Sequence, residues 1–130
     1  LKLISRRQRH MCIRDRVFGG AVAEVAIAGG FAFVSGQIAL DPETGEIIHG
    51  TIQEETRRAL GNLKLIVEEL GATMEDVVKC DVFLSTMKDF DAMNEIYEEF
   101  FGTECPPARS GVALELWGGM KIEVGAIVKL

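Results

Sequence analysis

Val77-Val78-Lys79-Cys80-Asp81-Val82-Phe83-Leu84 is a strand-length run rich in β-branched residues, and Ser85-Thr86 closes it. A helical pattern opens between Thr86 and Phe90 and runs to about Phe101, with Met93, Ile96, Tyr97, Phe100 and Phe101 on or beside its buried face, until Gly102 stops it. Upstream, Thr51 and Glu54 form a capping box. Ile52, Ala59, Leu60, Leu63, Val67 and Leu70 then recur at helical spacing as far as Gly71. Before that helix, Val22 to Ala28 and Phe31 to Gln37 read as a hairpin across Gly29-Gly30. Asp41-Pro42-Glu43-Thr44-Gly45 makes a turn, and Glu46-Ile47-Ile48 adds a short strand. Downstream, Ser110 to Leu116 alternates like a half-buried strand and Ile122 to Val128 follows as another. Strands and two helices in this order predict an α+β domain, a mixed β-sheet with both helices packed on one face.

Two helices cover only one side of a five- or six-stranded sheet, yet the strands carry apolar residues on both. The second face therefore asks for a partner, and a homo-oligomer of cyclic symmetry buries the same patch on every copy.

The chain has 130 residues, 48% of them hydrophobic, enough for one ordinary core. It has no long linker or internal repeat, no apolar run of membrane-spanning length and no signal-peptide pattern at its start, so the reading is a soluble, cytoplasmic protein with no membrane partner. Cys12, Cys80 and Cys105 are odd in number and form no CxxC, and His10 and His49 share no ligand spacing with them. Neither a disulfide framework nor a metal site is expected.

Charge is uneven. In residues 1–16, Lys2, Arg6, Arg7, Arg9, Arg14 and Arg16 stand against Asp15 alone, a net +5; the whole chain carries −6, which leaves −11 on the other 114 residues. So acidic a body repels phosphate backbones, and nucleic acid is not an expected partner. Residues 1–16 lack amphipathic periodicity, and His10 to Arg16 resembles translated adapter sequence. The domain is therefore expected at 17–130, preceded by a basic arm that is disordered or foreign to it.

Chemistry concentrates in Cys105-Pro106-Pro107-Ala108-Arg109-Ser110 and Lys121-Ile122-Glu123-Val124. Two prolines stiffen the backbone ahead of Arg109, whose planar fork suits a carboxylate, and Glu123 on the following strand is suited to hold a water or a proton. The alternative reading of the same pair is an ion pair across neighbouring strands.

Pro107-Ala108-Arg109-Ser110 and Ile122-Glu123-Val124 resemble the signature of the RidA/YjgF family, the reactive-intermediate imine deaminases. Phe33-Val34-Ser35-Gly36-Gln37-Ile38, Asp41 to Gly45 and Met87 to Tyr97 resemble it too, in the family's order from about Gly20 to Lys129. The resemblance implies a chorismate-mutase-like fold and a homotrimer with its sites in clefts between subunits. It implies that Arg109 binds a substrate carboxylate and Glu123 positions the hydrolytic water. Ser35 and Gly36 would line the pocket, with Gly111 near the water, and Phe90 and Asn94 would form the neighbouring subunit's wall. Taken alone, Phe90 reads as a core aromatic, Asn94 as a solvated or capping amide and Ser35 as a plain strand residue.

Two departures from the family pattern stand out. The tyrosine of the family's Gly-Pro-Tyr-Ser-Gln-Ala segment is Val22 here, and the cysteine two residues after the arginine is Gly111. Trp117-Gly118-Gly119 also puts a bulky aromatic near the cleft rim. The implied activity is hydrolysis of 2-imino or enamine acids such as 2-aminoacrylate to 2-keto acids and ammonia, without metal or organic cofactor. Two other readings compete: a noncatalytic trimer that binds small carboxylates, and a related hydrolase acting on larger imine or amide compounds.

Overall fold

The computed structural model describes residues 3–6, 10–14 and 23–130. Seven strands, β1 (Leu3–Arg6), β2 (His10–Arg14), β3 (Ala23–Ala28), β4 (Phe31–Gln37), β5 (Val77–Leu84), β6 (Ala108–Ala113) and β7 (Ile122–Lys129), join in one sheet. Its order is β1-β2-β3-β4-β7-β5-β6. Only β5 and β6 run parallel, which leaves room for the helix α2 (Phe90–Phe101) to cross between them. The first helix, α1 (Ile52–Glu69), lies over β4 and β7 and packs beside α2.

Local chemistry explains the boundaries. Thr51 accepts from the Glu54 N–H while Glu54 reaches back to the Thr51 N–H, so both halves of the capping box form. Gly71, at φ 79°, then takes the chain out of α1 through the left-handed region. Leu60, Leu63 and Val67 of α1 are fully buried against Val82, Leu84, Ile122, Val124 and Val128 of the sheet. Each such side chain contributes roughly 1.5 to 3 kcal/mol by leaving water. Both helices thus cover one face, as the periodicity predicts. On the opposite face Phe31, Phe33 and Val112 remain exposed in the single chain.

Three expectations change. The short strand at 46–48 is only a single bridge, Leu40 to Ile47, because the Asp41–Gly45 turn brings just one residue pair into register. Strand β6 starts at Ala108 and stops at Ala113, since its one neighbour, β5, ends at Leu84 opposite Ala113. Most consequentially, β5 lies between β6 and β7, so the strands bearing Arg109 and Glu123 follow each other in sequence without touching in the sheet. As for the N-terminal segment, β1 pairs with β2 and β2 with β3.

One buried carboxylate ties the layers together. Glu55, fully buried in α1, accepts from the Lys121 N–H at 2.9 Å, the Lys121 ammonium at 3.1 Å and the Gly50 N–H at 3.3 Å. The helix start is thereby fixed to the beginning of β7, two residues before Glu123. Glu55→Ala strands three part-buried donors and breaks the tie between α1 and β7, and is expected to cost about 3 kcal/mol. Lys121→Ala removes the part-exposed ammonium but leaves the buried Glu55 carboxylate its two backbone donors, so it is expected to cost less than Glu55→Ala, about 1 to 2 kcal/mol. Urea denaturation of the two variants measures the difference.

Candidate active site

The structure sorts the candidate residues into two groups on opposite faces of the sheet. Arg109 is the lateral partner of Cys80, and Cys80 of Ala126, both on the helix-covered side. Glu123 is the partner of Phe83, which lies with Val112 on the bare side. Arg109 and Glu123 of one chain are therefore not an ion pair across neighbouring strands, and that alternative is removed by topology. Phe90 and Asn94 stand beside Arg109 of their own chain, away from Glu123.

The first group is built by α2 against the β6 edge. Phe90, Asn94 and Tyr97 recur at helical spacing on one stripe. Asn94 accepts from Arg109 Nη1 at 2.7 Å, and its own amide nitrogen donates to Glu98 Oε1 at 3.2 Å. Glu98 thus orients the amide so that its oxygen meets the guanidinium. The guanidinium carbon lies 4.6 Å from the centroid of the Tyr97 ring and 5.4 Å from that of Phe90, within cation–π range. A Cβ placed on Gly111 would meet Phe90 Cε2 at 3.9 Å and the Val82 carbonyl at 4.0 Å, so a side chain fits there without strain.

The second group gathers at an irregularity in β4. Between the Val34–Ala126 and Gln37–Val124 pairs, Ser35 and Gly36 stand opposite Gly125 alone, which displaces the two from the regular ladder. The Gln37 side chain donates to the Ser35 carbonyl at 3.0 Å. Glu123 folds over Gly36 so closely that a Cβ there would come within 2.5 Å of its carboxyl carbon. Only glycine leaves the carboxylate in this position. Burial raises the Glu123 pKa above the usual carboxylate value. On this face Lys79 is held by Asp81 at 2.7 Å, and Lys129 stands beside Phe31 at the far end of β7 from Glu123.

Below Arg109, Cys80 and Tyr97 stay protonated. Burial foremost pushes the Cys80 thiol up to about 11, and burial with the adjoining thiol pushes the Tyr97 phenol well above its usual range. Neither is a nucleophile at neutral pH. Cys105 is exposed, and among the described residues no three His, Cys, Asp or Glu side chains converge as a metal site would require. Val22 lies outside the described residues. Trp117, 62% exposed, sits on a turn where Gly118 and Gly119 take φ of 68° and 70°. Glu55, Tyr97 and Glu98 also support the site, beyond the residues that the sequence singles out for it. The spacing of Asn94 and Glu98 is the one sequence signal that points to such a link.

The family described as Endoribonuclease L-PSP matches residues 19–130. The chain belongs to the RidA/YjgF/RutC family. A RutC family protein of Pyrococcus abyssi is 50% identical over 93 residues, 72% of this chain and 72% of that protein. The 2-iminobutanoate/2-iminopropanoate deaminase of Dermatophagoides farinae is 37% identical over 110 residues, covering 84% and 85%. The crystal structure of E. coli TdcF with bound serine has a TM-score of 0.77 at 35% identity, covering 85% of this chain and 89% of that one. The RidA/YjgF α+β fold expected from the motifs is the one found, five strands from Ala23 onward carrying two helices on one face.

Because Glu123 holds its proton to higher pH when folded than when unfolded, it lowers stability as pH rises from the ordinary carboxylate range through its folded pKa. Glu123→Gln removes that penalty. The variant is expected to melt above the parent protein at neutral pH, and the gap is expected to close below the ordinary carboxylate range, where Glu123 is neutral in both states. Thermal melts across pH check this; an ion-pair role for Glu123 gives the opposite sign at neutral pH.

Proposed function

We propose that this protein is a hydrolytic deaminase that converts 2-imino and enamine acids such as 2-aminoacrylate to 2-keto acids and ammonia, at clefts between the subunits of a homotrimer. One observation carries the reading. Among the described residues Arg109 has an amide and two rings for company and no carboxylate in contact, Glu123 has no cation in contact, and the two lie on opposite faces of one sheet. Two oppositely charged groups without a charged partner among the described residues fit a site completed by a second copy. Arg109, Asn94, Phe90 and Gly111 come from one subunit, and Glu123, Gly36 and Ser35 from the next. The exposed Phe31, Phe33 and Val112 supply the apolar surface that brings the copies together.

The chemistry follows from those groups. Arg109 holds the substrate carboxylate through paired N–H bonds, a charge-assisted contact worth about 1.5 to 3 kcal/mol. Glu123 accepts a proton from water as the water oxygen bonds to the imine carbon and the C=N electron pair moves to nitrogen, and the carboxyl returns that proton to nitrogen, giving the neutral carbinolamine. Glu123 then takes the carbinolamine hydroxyl proton and passes it to nitrogen as C=O forms and the C–N bond breaks, releasing ammonia and leaving the keto acid. A carboxylate with a raised pKa suits both transfers. Imines of this kind already hydrolyse spontaneously in water, so modest barrier lowering suffices, each 1.36 kcal/mol giving about tenfold.

The deaminase name of the Dermatophagoides relative supports the reaction, and the serine bound to TdcF supports a small carboxylate ligand. Gly111, which brings no side chain to the space beside Phe90, favours a second reading as a carboxylate binder without turnover. Exposed Trp117 leaves room for larger imine or amide substrates as the third.

Ammonia release from freshly generated 2-aminoacrylate, compared with larger imines, decides among the three. Arg109→Ala is expected to abolish acceleration with assembly intact, and Arg109→Lys to restore little because an ammonium lacks the fork. Glu123→Gln is expected to keep ligand binding and lose turnover. Light scattering is expected to give three times the chain mass; a stable monomer at micromolar concentration sinks the shared cleft.

The reading also takes residues 17–130 as the functional domain, in keeping with the family match beginning at residue 19. Deletion of residues 1–16 is expected to leave melting temperature, assembly and activity nearly unchanged. A large fall in melting temperature on truncation would show instead that β1 and β2 contribute to stability.

A further inference from the structure

Tyr97 is the single tyrosine of the chain, and the Arg109 guanidinium stands over its ring. It is 4% exposed on α2, and its hydroxyl is buried with no well-formed hydrogen bond. A phenyl ring would fill the same space and present the same face, so the ring and not the hydroxyl is what the arginine uses. The polar group adjoining that hydroxyl is the Cys80 thiol, an interaction too poorly aligned to satisfy it but close enough for each to bear on the other's proton. Cys80 is also the residue of β5 directly beside Arg109.

The geometry around the ring is directional. The Arg109 guanidinium lies 4.6 Å from its centroid, nearer than to Phe90, and on its own helix Phe101 is tilted 43° against it at 4.6 Å. The Tyr97 ring is thus held by Phe101 and Cys80 while it carries the cation. Asn94 fixes rotation of the guanidinium in its own plane through the 2.7 Å bond to Nη1. A flexible arginine otherwise loses rotamer freedom when it captures a ligand; here that loss is already taken in the fold.

We propose that Tyr97 is a positioning residue for Arg109, an aromatic platform that pre-orients the guanidinium for the substrate carboxylate. The proposal rests on the reading of Arg109 as the carboxylate site. Its signature is in binding: loss of the platform raises KM and the Kd for a small carboxylate about tenfold, with a much smaller change in kcat.

Because the chain has one tyrosine, growth on 3-fluorotyrosine or 3,5-difluorotyrosine alters Tyr97 alone, draining charge from the ring face with little change of shape. Three readouts at about pH 6, where the phenol remains protonated, test the idea: Kd for pyruvate, KM against kcat, and rotation of the Arg109 guanidinium by nitrogen NMR without ligand. Stepwise weakening of binding and faster guanidinium rotation along the fluorine series are expected. Tyr97→Leu is expected to show the largest loss and Tyr97→Phe to regain binding close to the parent, and thermal melts identify a variant that has merely unfolded. Unchanged guanidinium rotation across the fluorine series overturns the platform, whatever pyruvate does. Faster rotation in a protein that never binds pyruvate instead overturns the carboxylate-site reading on which the role depends.

Discussion

Insertion of β5 between β6 and β7 is the constraint on which the rest of the molecule turns. A parallel β5–β6 pair needs a crossover, the crossover is α2, and α2 lies on the helix side of the sheet. Arg109 is thereby delivered to a covered edge beside Phe90, Asn94 and Tyr97. The antiparallel β5–β7 register meanwhile turns Glu123 to the other side. No side-chain rearrangement within one chain reunites the two, because moving either through the sheet would mean shifting a strand by one residue and exposing every buried neighbour.

The two charges are kept in place by different means. Arg109 is held from outside the sheet, by an amide that Glu98 orients and by two rings. Glu123 is positioned from the backbone: Gly36 makes space beneath it, the displaced Ser35-Gly36 segment shapes the floor, and Glu55 anchors Lys121 two residues upstream. A buried carboxylate spent on anchoring a strand end is costly unless both oxygens are hydrogen-bonded, and Glu55 receives three donors across its two oxygens.

Much of this was legible in the sequence, and the limits are instructive. The Thr51–Glu54 capping box, the Gly29-Gly30 turn and the core stripe of α1 depend on neighbours a few residues away, and local pattern reads them correctly. The neighbour order of strands depends on contacts between distant segments, and nothing in the alternation of Ser110 to Leu116 says that β5 ends opposite Ala113. Arg109 and Glu123 stand out by their own chemistry, Gly36 and Asn94 only through resemblance to a family, and neither route reveals their division between two faces. Tyr97 was read as core because burial and apolar spacing look the same whether a ring faces a leucine or a guanidinium. Glu55 carries no signal beyond being a second acid in a first turn.

The same topology bears on the order in which the chain acquires its parts. Strand β5, helix α2 and strand β6 follow one another within residues 77–113, so the Arg109 cluster requires only short loop closures. The Glu123 cluster requires β4 to find β7 across most of the domain, joining residues 36 and 123. Contacts of such sequence separation are entropically late in folding. The cation's cradle thus takes shape within a local β-α-β unit, whereas the carboxylate's seat waits for the sheet to close around it.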